Sequence, residues 1–298
     1  MNQTFGDYTL LRELGDGYSG SVVLGRHGVS QQLAAIKVPD AAKLASSPKL
    51  ARLLAHEFEV LSQLSHPRIV RALEFQESAE INPPTANRPS QSPLLAVELA
   101  PNGEVCELIC RKGKLPQKAA VYYFRQLLEA LTYIHSNGFA HRDIKPENLL
   151  FDAEWDLKLI DFAFAVKTSE KQTSVVGTPG YLAPEMYNNQ GYEPVKIDVF
   201  AAGVVLFIMV CGAPPFNDTK PSDPHYKAFV KSPAHFWKYH SRDDKKALFT
   251  PEFVDIMNKM IDPNPANRAS IEQLLTHKYL SVPVDQARIK SEMQAYSK

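Results

Sequence analysis

The sequence His141-Arg142-Asp143-Ile144-Lys145-Pro146-Glu147-Asn148 is followed, 13 residues beyond Asn148, by Asp161-Phe162-Ala163. Two carboxylates, an amide and an ammonium group therefore lie in one short stretch of the chain. Each of these residues alone has an ordinary interpretation, because Asp and Asn are common in turns. The ordered set at these spacings is much more specific and indicates a site of catalysis.

These residue types are the ones that metal-assisted transfer of a phosphoryl group to a hydroxyl requires. Asp143 supplies a carboxylate that can orient and deprotonate the hydroxyl. Asp161 and the amide of Asn148 supply oxygen ligands of the kind that Mg²⁺ prefers. Lys145 adds a positive charge that can stabilise the group in transfer. We predict Asp143, Lys145 and Asn148 to be catalytic, and Asn148 and Asp161 to bind the metal ion.

The same stretch resembles the catalytic loop and the metal-binding loop of eukaryotic protein kinases, and the resemblance extends from about Tyr8 to Leu280. It implies a bilobal α+β protein-kinase fold, with a small β-rich N-lobe that contains one helix and a larger helical C-lobe. It also implies the use of ATP and Mg²⁺ as cofactors.

A glycine-rich segment, Leu14-Gly15-Asp16-Gly17-Tyr18-Ser19-Gly20-Ser21-Val22, lies near the start of the chain. Its spacing alone is weak, because dinucleotide-binding Rossmann enzymes use the same one. A Rossmann unit would begin a helix directly after the third glycine, whereas residues 21–25 and 34–38 have the pattern of two strands. The segment therefore resembles the kinase loop that covers the phosphates and weighs against an oxidoreductase.

Lys37, in the second of these strands, resembles the kinase lysine that holds the α- and β-phosphates. A helix predicted over residues 50–64 places Glu57 beside the apolar face formed by Leu54 and Leu61. By periodicity alone Glu57 is an ordinary solvated glutamate. The resemblance instead implies an ion pair between Glu57 and Lys37.

The segment Glu98-Leu99-Ala100-Pro101-Asn102-Gly103 is identified, by the same resemblance, as the hinge. Backbone groups of Glu98 and Ala100 would meet the adenine edge behind a small gatekeeper, Val97, and Glu104 would reach the ribose or the substrate. The full set of residues implied in nucleotide binding is Leu14, Gly15, Gly17, Gly20, Val22, Ala35, Lys37, Glu57, Glu98, Ala100, Glu104, Leu150 and Asp161.

Gly177-Thr178-Pro179-Gly180-Tyr181-Leu182-Ala183-Pro184-Glu185 resembles the end of a kinase activation segment and adds Thr178 to the implied catalytic residues. The resemblance also implies that Asp198, near the start of an apolar helix, binds the backbone of the catalytic loop. Arg268 is implied to pair with Glu185.

Control of activity is implied by Arg142, which in the family receives a phosphate of the activation segment. Counting from Asp161 selects Ser174 as the phosphorylated residue, with Thr173 second.

Ala163 stands where the family normally has Gly. Since alanine has a narrower φ range than glycine, we expect Ala163 to restrict flipping of the metal-binding loop without removing the metal carboxylate.

The acceptor class follows from Lys145 and from Gly-Thr-Pro at 177–179, which resemble serine/threonine kinases. The chain as a whole resembles most nearly the calcium/calmodulin-dependent and cyclic-nucleotide-dependent groups. The implied partners are protein substrates with Ser/Thr acceptors. Glu104 and Glu147 match acidic positions of relatives that favour Arg before the acceptor. The alternative is that Glu104 serves only the ribose and Glu147 only the loop.

A catalytically inactive ATP-binding scaffold of the same fold is the other class of function to weigh. Such proteins usually lose the equivalents of Lys37, Asp143 or Asp161, and this chain has all three. The retained residues favour an active enzyme.

Composition is typical of one soluble catalytic unit of 298 residues, 44% of them hydrophobic. Lys and Arg number 33, as do Asp and Glu, so we expect neither nucleic acid nor an anionic membrane as a partner. Three scattered cysteines indicate reduced thiols, and Met1-Asn2-Gln3-Thr4 lacks the pattern of a signal peptide. We expect a cytoplasmic location, with a nuclear one also open.

The predicted N-lobe spans residues 8–99 and the predicted C-lobe residues 100–280, with a short polar tail at 281–298. Residues 77–92 are rich in Pro, Asn and Ser and lack periodicity, which predicts a flexible inserted loop between two N-lobe strands. A surface insertion is the favoured interpretation of this loop, and a docking site is the alternative.

Three further predictions concern the C-lobe. A long amphipathic helix is expected to begin after Pro116 and to end near Asn137-Gly138. The apolar run over 199–210 is shorter than a membrane span and predicts a core helix. The aromatic residues Phe236, Trp237 and Tyr239 are interpreted mainly as packing around a helix, with a docking surface as the lesser alternative.

Overall fold

The computed structural model describes residues 3–17, 20–47, 49–82, 90–188, 190–241 and 247–298. Two units are present, Met1–Pro101 with Asp161–Ala163, and Asn102–Ile160 with Phe164–Lys298. The metal-binding loop thus belongs to the first unit, although it lies far along the chain. The division at residue 101 lies two residues from the predicted end of the N-lobe.

The described part of the first unit contains six strands. They are β1 (Thr4–Phe5), β2 (Tyr8–Gly17), β3 (Gly20–His27), β4 (Leu33–Pro39), β5 (Ala72–Asn82) and β6 (Ser90–Glu98). Antiparallel pairing runs in the order β1-β2-β3-β4-β6-β5 and returns to β1, so the sheet closes into a barrel. Thr4 of β1 closes it by pairing with Thr9 on one side and with Asn82 on the other.

The side chains of β4 point alternately into the core of the barrel and to the opposite face of its sheet. Ala34 and Ile36 are fully buried in a core that also contains Phe5 of β1. Successive side chains of a strand point to opposite faces, so Ala35 and Lys37 lie on the other side. The strand pattern therefore presents Lys37 outside the barrel core.

Among the described residues of this unit, two helices accompany the barrel, α1 (Ala41–Ser46) and α2 (Lys49–Leu61). α2 is the helix predicted over residues 50–64, and it ends at Leu61. α1 is an addition to the prediction. Its N-cap is Asp40, whose carboxylate accepts a hydrogen bond of 2.8 Å from the N–H of Lys43.

The predicted flexible loop over 77–92 is corrected at both ends. β5 continues to Asn82 and β6 begins at Ser90, and these flanks pair through Ala79 with Ser92 and Ile81 with Ser90. Pairing with a neighbouring strand satisfies the backbone of these polar residues, and their composition alone does not reveal this. Residues 83–89 lie outside the described residues.

The second unit is mainly helical. The helices are α3 (Val105–Lys112), α4 (Gln117–Ser136), α5 (Pro194–Cys211), α6 (Pro224–Lys231), α7 (Pro233–His240), α8 (Pro251–Met260), α9 (Ile271–Leu275) and α10 (Gln286–Tyr296). Four short strands form two pairs, β7 (Phe139–Ala140) with β10 (Val166–Lys167) and β8 (Leu149–Phe151) with β9 (Leu157–Leu159). α4 has the bounds that the sequence predicts.

α5 is the core helix of the second unit. It is longer than the apolar run over 199–210 and has the length and hydropathy of a membrane span, but 83% of it is buried inside the unit. Apart from Lys196 and Asp198 its side chains are apolar on all sides, as expected for a helix that is surrounded by others. The interpretation as a core helix therefore holds.

The aromatic residues after α6 divide by burial. Phe236 and Trp237 are buried, and the indole N–H of Trp237 donates a hydrogen bond of 2.8 Å to Asn258. Tyr239 is 47% exposed. Packing is thus the role of the first two, and a docking role for the exposed Tyr239 stays an untested alternative.

α10 lies in the segment that the sequence analysis describes only as a polar tail. Asp285 caps its first turn, and Ile289 and Met293, four residues apart, are buried. The Lys290 ammonium lies 2.7 Å from the carboxylate of Asp156. The tail is therefore corrected to include an ordered helix that packs on the second unit.

Removal of the buried ring of β1 should destabilise the first unit. We expect Phe5→Ala to lower its free energy of unfolding by about 3–5 kcal/mol, because the change deletes a fully buried ring and leaves a cavity. Hydrogen exchange of the amides of β2 and β5, followed by mass spectrometry, measures the loss. Val29→Ala is the control, since Val29 is 89% exposed and should change stability by less than about 0.5 kcal/mol. Equal exchange in both variants would contradict the role of Phe5.

Candidate active site

The catalytic loop follows β7, and one buried carboxylate binds its backbone. Asp198, fully buried near the start of α5, accepts hydrogen bonds of 2.8 Å from the backbone N–H groups of both His141 and Arg142. Its Oδ2 also lies 2.9 Å from Nε2 of His135. The contact implied for Asp198 is therefore present.

Asp143, Lys145 and Thr178 form a closed set of contacts. The Lys145 ammonium donates to Asp143 Oδ2 at 2.7 Å and to the Thr178 hydroxyl at 2.8 Å. That hydroxyl donates in turn to Asp143 Oδ1 at 2.8 Å. Both carboxylate oxygens of Asp143 are thus oriented by groups that the sequence analysis assigns to catalysis.

Asn148 joins this set from the short 3₁₀ helix Pro146–Asn148. Its Nδ2 donates to the carbonyl oxygen of Asp143 at 2.8 Å and to its Oδ2 at 3.2 Å. Because the amide nitrogen is directed at Asp143, the amide oxygen is the atom that can serve a metal ion. The backbone of Asn148 accepts from the N–H of Ile160 at 3.0 Å.

In the first unit Lys37 lies between two carboxylates. Its Nζ is 2.6 Å from Glu57 Oε2 and 3.3 Å from Asp161 Oδ1. Glu57 is only 1% exposed, so it is not the solvated glutamate that periodicity alone suggests. Burial would lower the pKa of Lys37, but the charges of Asp161 and Glu57 outweigh burial and raise that pKa. The ammonium group therefore stays charged at neutral pH.

Cross-strand pairing places other predicted nucleotide residues beside Lys37. Val22 of β3 is opposite Lys37, and Ala35 is opposite Val97. Directly opposed residues share a face of a sheet. Val22, Ala35, Lys37 and the gatekeeper position Val97 thus lie on one face.

The described residues of the glycine-rich segment lie at the end of β2 and at the start of β3. Gly15 pairs with Val22, and a Cβ atom at Gly15 would meet open space, whereas one at Gly20 would collide with the backbone of Val38 and Asp40. Gly20 also has a φ of +146°, which favours glycine. The structure thus adds a packing reason for this glycine. Leu14 and Gly17 belong to β2, and Tyr18 and Ser19 lie outside the described residues.

The hinge begins where β6 ends. The N–H of Glu98 donates to the carbonyl oxygen of Arg71 at 2.9 Å, and the Glu98 carboxylate accepts from the N–H of Arg71 at 3.2 Å. Ala100 follows in irregular backbone. The side of the hinge that carries Glu98 is therefore fixed to the strand region of the first unit.

Glu104 and Leu150 are neighbours in the second unit, where their backbones form an antiparallel bridge. Partial burial and the charges of Glu147 and Glu107 raise the pKa of Glu104. Oε2 of Glu147 is buried and accepts no hydrogen bond from the residues that the structure describes. A buried acceptor without a donor costs free energy. A cation placed among these carboxylates would supply a donor to Glu147 and would favour the charged form of Glu104.

The end of the activation segment is anchored by a buried ion pair. The Arg268 guanidinium donates to both oxygens of Glu185, at 2.6 and 2.7 Å, and lies 4.8 Å from the ring centre of Phe200. This is the pair that the resemblance implies. At Gly177, with φ +106°, a Cβ atom would lie 2.7 Å from the carbonyl oxygen of Arg142, so only glycine permits this close approach.

Arg142 connects the catalytic loop to the middle of the activation segment. Its Nη1 donates to the Ser174 hydroxyl at 3.1 Å and to the Tyr192 hydroxyl at 3.3 Å. Its Nε donates to the carbonyl oxygen of Phe164 at 2.7 Å. Sequence reasoning selected Ser174 but missed Tyr192, because a tyrosine 50 residues away has no recognisable motif.

The metal-binding loop requires its left-handed residue at Asp161, which has a φ of +65°. Ala163 is not among the described residues with positive φ. Alanine therefore adopts this loop conformation without backbone strain, and position 163 does not need glycine in it.

The predicted site residues thus divide between the two units. The first unit contributes Leu14, Gly15, Gly17, Gly20, Val22, Ala35, Lys37, Glu57, Glu98, Ala100 and Asp161, and the second contributes Glu104, Asp143, Lys145, Asn148, Leu150 and Thr178. The donors expected at a metal, a carboxylate and an amide oxygen, are hard oxygen ligands. By its chemistry each donor suits Mg²⁺, which usually takes one or two protein ligands together with phosphates and water.

The model of the protein kinase domain family matches residues 8–280 of this chain. The chain therefore belongs to the protein kinase family, which confirms the predicted family and its α+β fold.

Similar proteins include CBL-interacting serine/threonine-protein kinase 7 of Arabidopsis thaliana, 33% identical over 91% of this chain and 59% of that protein. CBL-interacting protein kinase 29 of Oryza sativa subsp. japonica is 36% identical over 75% of the chain and 46% of that protein. Serine/threonine-protein kinase SIK2 of Gallus gallus is 30% identical over 98% and 34%. The chain spans about half the length of the curated relatives it matches, and their names agree with the serine/threonine type.

Loss of the Asp198 carboxylate should destabilise the second unit. We expect Asp198→Ala to lower its free energy of unfolding by about 3–5 kcal/mol, because three hydrogen-bonding groups, on His135, His141 and Arg142, lose their buried partner. Urea unfolding followed by tryptophan fluorescence reports on this unit, since Trp155 and Trp237 both belong to it.

Asp255→Ala is the matched control. Asp255 also contacts a histidine, His277, at 2.8 Å, but its side chain is 54% exposed, and exposed pairs contribute at most about 1 kcal/mol. Equal destabilisation by the two variants would contradict the role given to Asp198.

Proposed function

We propose that this chain is an active protein kinase domain that transfers the γ-phosphate of ATP to serine or threonine hydroxyls of proteins. The observation that carries the proposal is the contact set of Asp143, Lys145 and Thr178. It orients a carboxylate with an ammonium group beside it, which is the arrangement that an acceptor hydroxyl needs. The charged Lys37, held by Glu57, supports the same proposal from the first unit.

Nucleotide binding is assigned to the residues that the resemblance implies. Lys37 would bind the α- and β-phosphates as a cation, with its position fixed by the Glu57 carboxylate 2.6 Å away. Asp161 and the Asn148 amide oxygen would hold Mg²⁺. When bound, the metal ion neutralises charge on the phosphate oxygens.

Asp143 is assigned as the group that accepts the proton of the acceptor hydroxyl. One carboxylate oxygen accepts from Lys145 and the other from Thr178, so the carboxylate has a single orientation before a substrate binds. Orientation of this kind is the main contribution that a protein makes to phosphoryl transfer. Lys145 would also counter the negative charge that develops on the phosphoryl group.

An inactive scaffold is the weaker candidate. It would not require Lys37, Asp143 and Asp161 together, and the contacts of Lys37 and Asp143 are those of a site prepared for reaction. The relatives named above are described as protein kinases, which also supports an active enzyme.

Substitution of the carboxylate at the hydroxyl tests the mechanism. We expect Asp143→Asn to lower turnover about 10²-fold or more, because the amide cannot accept the proton. Asp161→Asn should in addition raise the KM for MgATP. Initial rates with a Ser/Thr peptide over a range of MgATP concentrations measure both effects. Asp255→Asn, on the exposed surface, is the control and should stay within about twofold of the unaltered protein. The mechanism is wrong if folded Asp143→Asn retains normal turnover.

Substrate preference is a second part of the proposal. Glu104 and Glu147 provide a half-buried acidic group with raised pKa and a buried acceptor without a donor. An Arg side chain two or three residues before the acceptor would supply both a positive charge and several donors. We therefore expect Arg to be enriched at these positions.

A positional-scanning peptide library tests this preference. Glu147→Gln should reduce the preference for Arg about tenfold, since a charge-assisted hydrogen bond becomes a neutral one, while the rate with an Arg-free peptide should change little. Glu107→Gln, whose side chain is 62% exposed, is the control. Absence of Arg enrichment, or equal enrichment with Glu147→Gln, would show that the two glutamates do not read the substrate.

A further inference from the structure

Tyr192 holds the middle of the activation segment by three hydrogen bonds. Its backbone pairs in both directions with Gln172, at 3.0 and 2.8 Å. Its hydroxyl donates to the carbonyl oxygen of Ser174 at 2.7 Å. Ser174 is exposed, whereas Tyr192 is 3% exposed, so a surface segment is tied to a buried side chain.

The same phenol oxygen is bound by the catalytic loop. Nη1 of Arg142 lies 3.3 Å from the Tyr192 hydroxyl and 3.1 Å from the Ser174 hydroxyl. The phenol proton is directed to Ser174, so an oxygen lone pair remains to accept from the guanidinium. One atom therefore connects the residue before Asp143 with the activation segment.

The position of Tyr192 in the chain strengthens this connection. Tyr192 stands two residues before Pro194, the first residue of α5, and Asp198 lies in the first turns of the same helix. Asp198 binds the backbone N–H of Arg142 at 2.8 Å. The start of α5 thus fixes Arg142 at both its backbone and its side chain.

We propose that Tyr192 is a positioning residue that holds the activation segment against the catalytic loop before any phosphate is added to that segment. A neutral hydroxyl accepts one charge-assisted hydrogen bond, whereas a phosphate offers three acceptor oxygens and nearly two negative charges. Tyr192 would therefore give the unphosphorylated protein partial order and partial activity. For its kinetic readout this inference rests on the proposed kinase function.

Tyr192→Phe removes the hydroxyl and keeps the buried ring. Cleavage by trypsin after Lys171, an exposed residue next to Gln172, measures order of the segment in phosphatase-treated protein without any need for activity. We expect the rate of cleavage to rise about tenfold or more, because the variant loses both the hydrogen bond to the Ser174 carbonyl oxygen and the one from the charged Arg142 guanidinium. We expect kcat with a Ser/Thr peptide to fall about tenfold and the KM for ATP to stay within about twofold.

Tyr123→Phe is the matched control. The Tyr123 hydroxyl is also buried and also donates to a backbone carbonyl oxygen, that of Trp155, at 3.0 Å. It contacts neither Arg142 nor the segment over 172–174 among the hydrogen bonds of the described residues. Cleavage after Lys171 and kcat should be unchanged in Tyr123→Phe.

A negatively charged side chain at position 174 tests whether Tyr192 positions the activation segment or only stabilises the fold. In the double variant Tyr192→Phe with Ser174→Glu, the new carboxylate can pair with Arg142 directly. We expect the cleavage rate and kcat of this variant to return to within about threefold of the values for the unaltered protein. The inference is overturned if Tyr192→Phe leaves cleavage unchanged, if Tyr123→Phe raises cleavage equally, or if Ser174→Glu restores neither cleavage nor kcat. A protein without kinase activity that still shows the cleavage pattern would refute the proposed function and support the role of Tyr192.

Discussion

The hydrogen bonds from the catalytic-loop backbone to the buried Asp198 carboxylate hold the catalytic loop in its conformation. Arg142 has a φ of +67°, a conformation that costs a residue other than glycine about 1 kcal/mol or more. Its N–H and that of His141 need a buried acceptor, and Asp198 supplies one. The contacts of Asp143 with Lys145 and Asn148 all depend on this backbone conformation.

The ion pairs Lys37–Glu57 in the first unit and Arg268–Glu185 in the second serve mainly to fix geometry. Burial of an ion costs several kcal/mol, and a good pair roughly offsets that cost without a large net gain in stability. Glu57 places the Lys37 ammonium, and Glu185 places the Arg268 guanidinium in a bidentate contact. Each pair joins residues that are distant in sequence, so it specifies one arrangement of the segments that it connects.

Sequence reasoning predicted the residues that belong to spaced motifs and missed contacts without one. Lys37, Asp143 and Asn148 could be found because phosphoryl transfer demands those groups at recognisable spacings. β1 could not be found, because two residues have no periodicity and gain their place by pairing with β2 and with the distant strand β5. α10 had a weak signal in the Asp285 cap, but its short apolar repeat lies among polar residues. Whether a phosphate joins Arg142 at Ser174 stays a prediction.

The closed barrel of the first unit also has a consequence for association between chains. A strand at the edge of a sheet presents unpaired N–H and C=O groups to which another strand can add. β1 covers β2 on one side and β5 on the other, so two residues protect two such edges. Proteolysis that removes Thr4 and Phe5 would leave both edges open, and intermolecular strand addition would then compete with the folded state of a single chain.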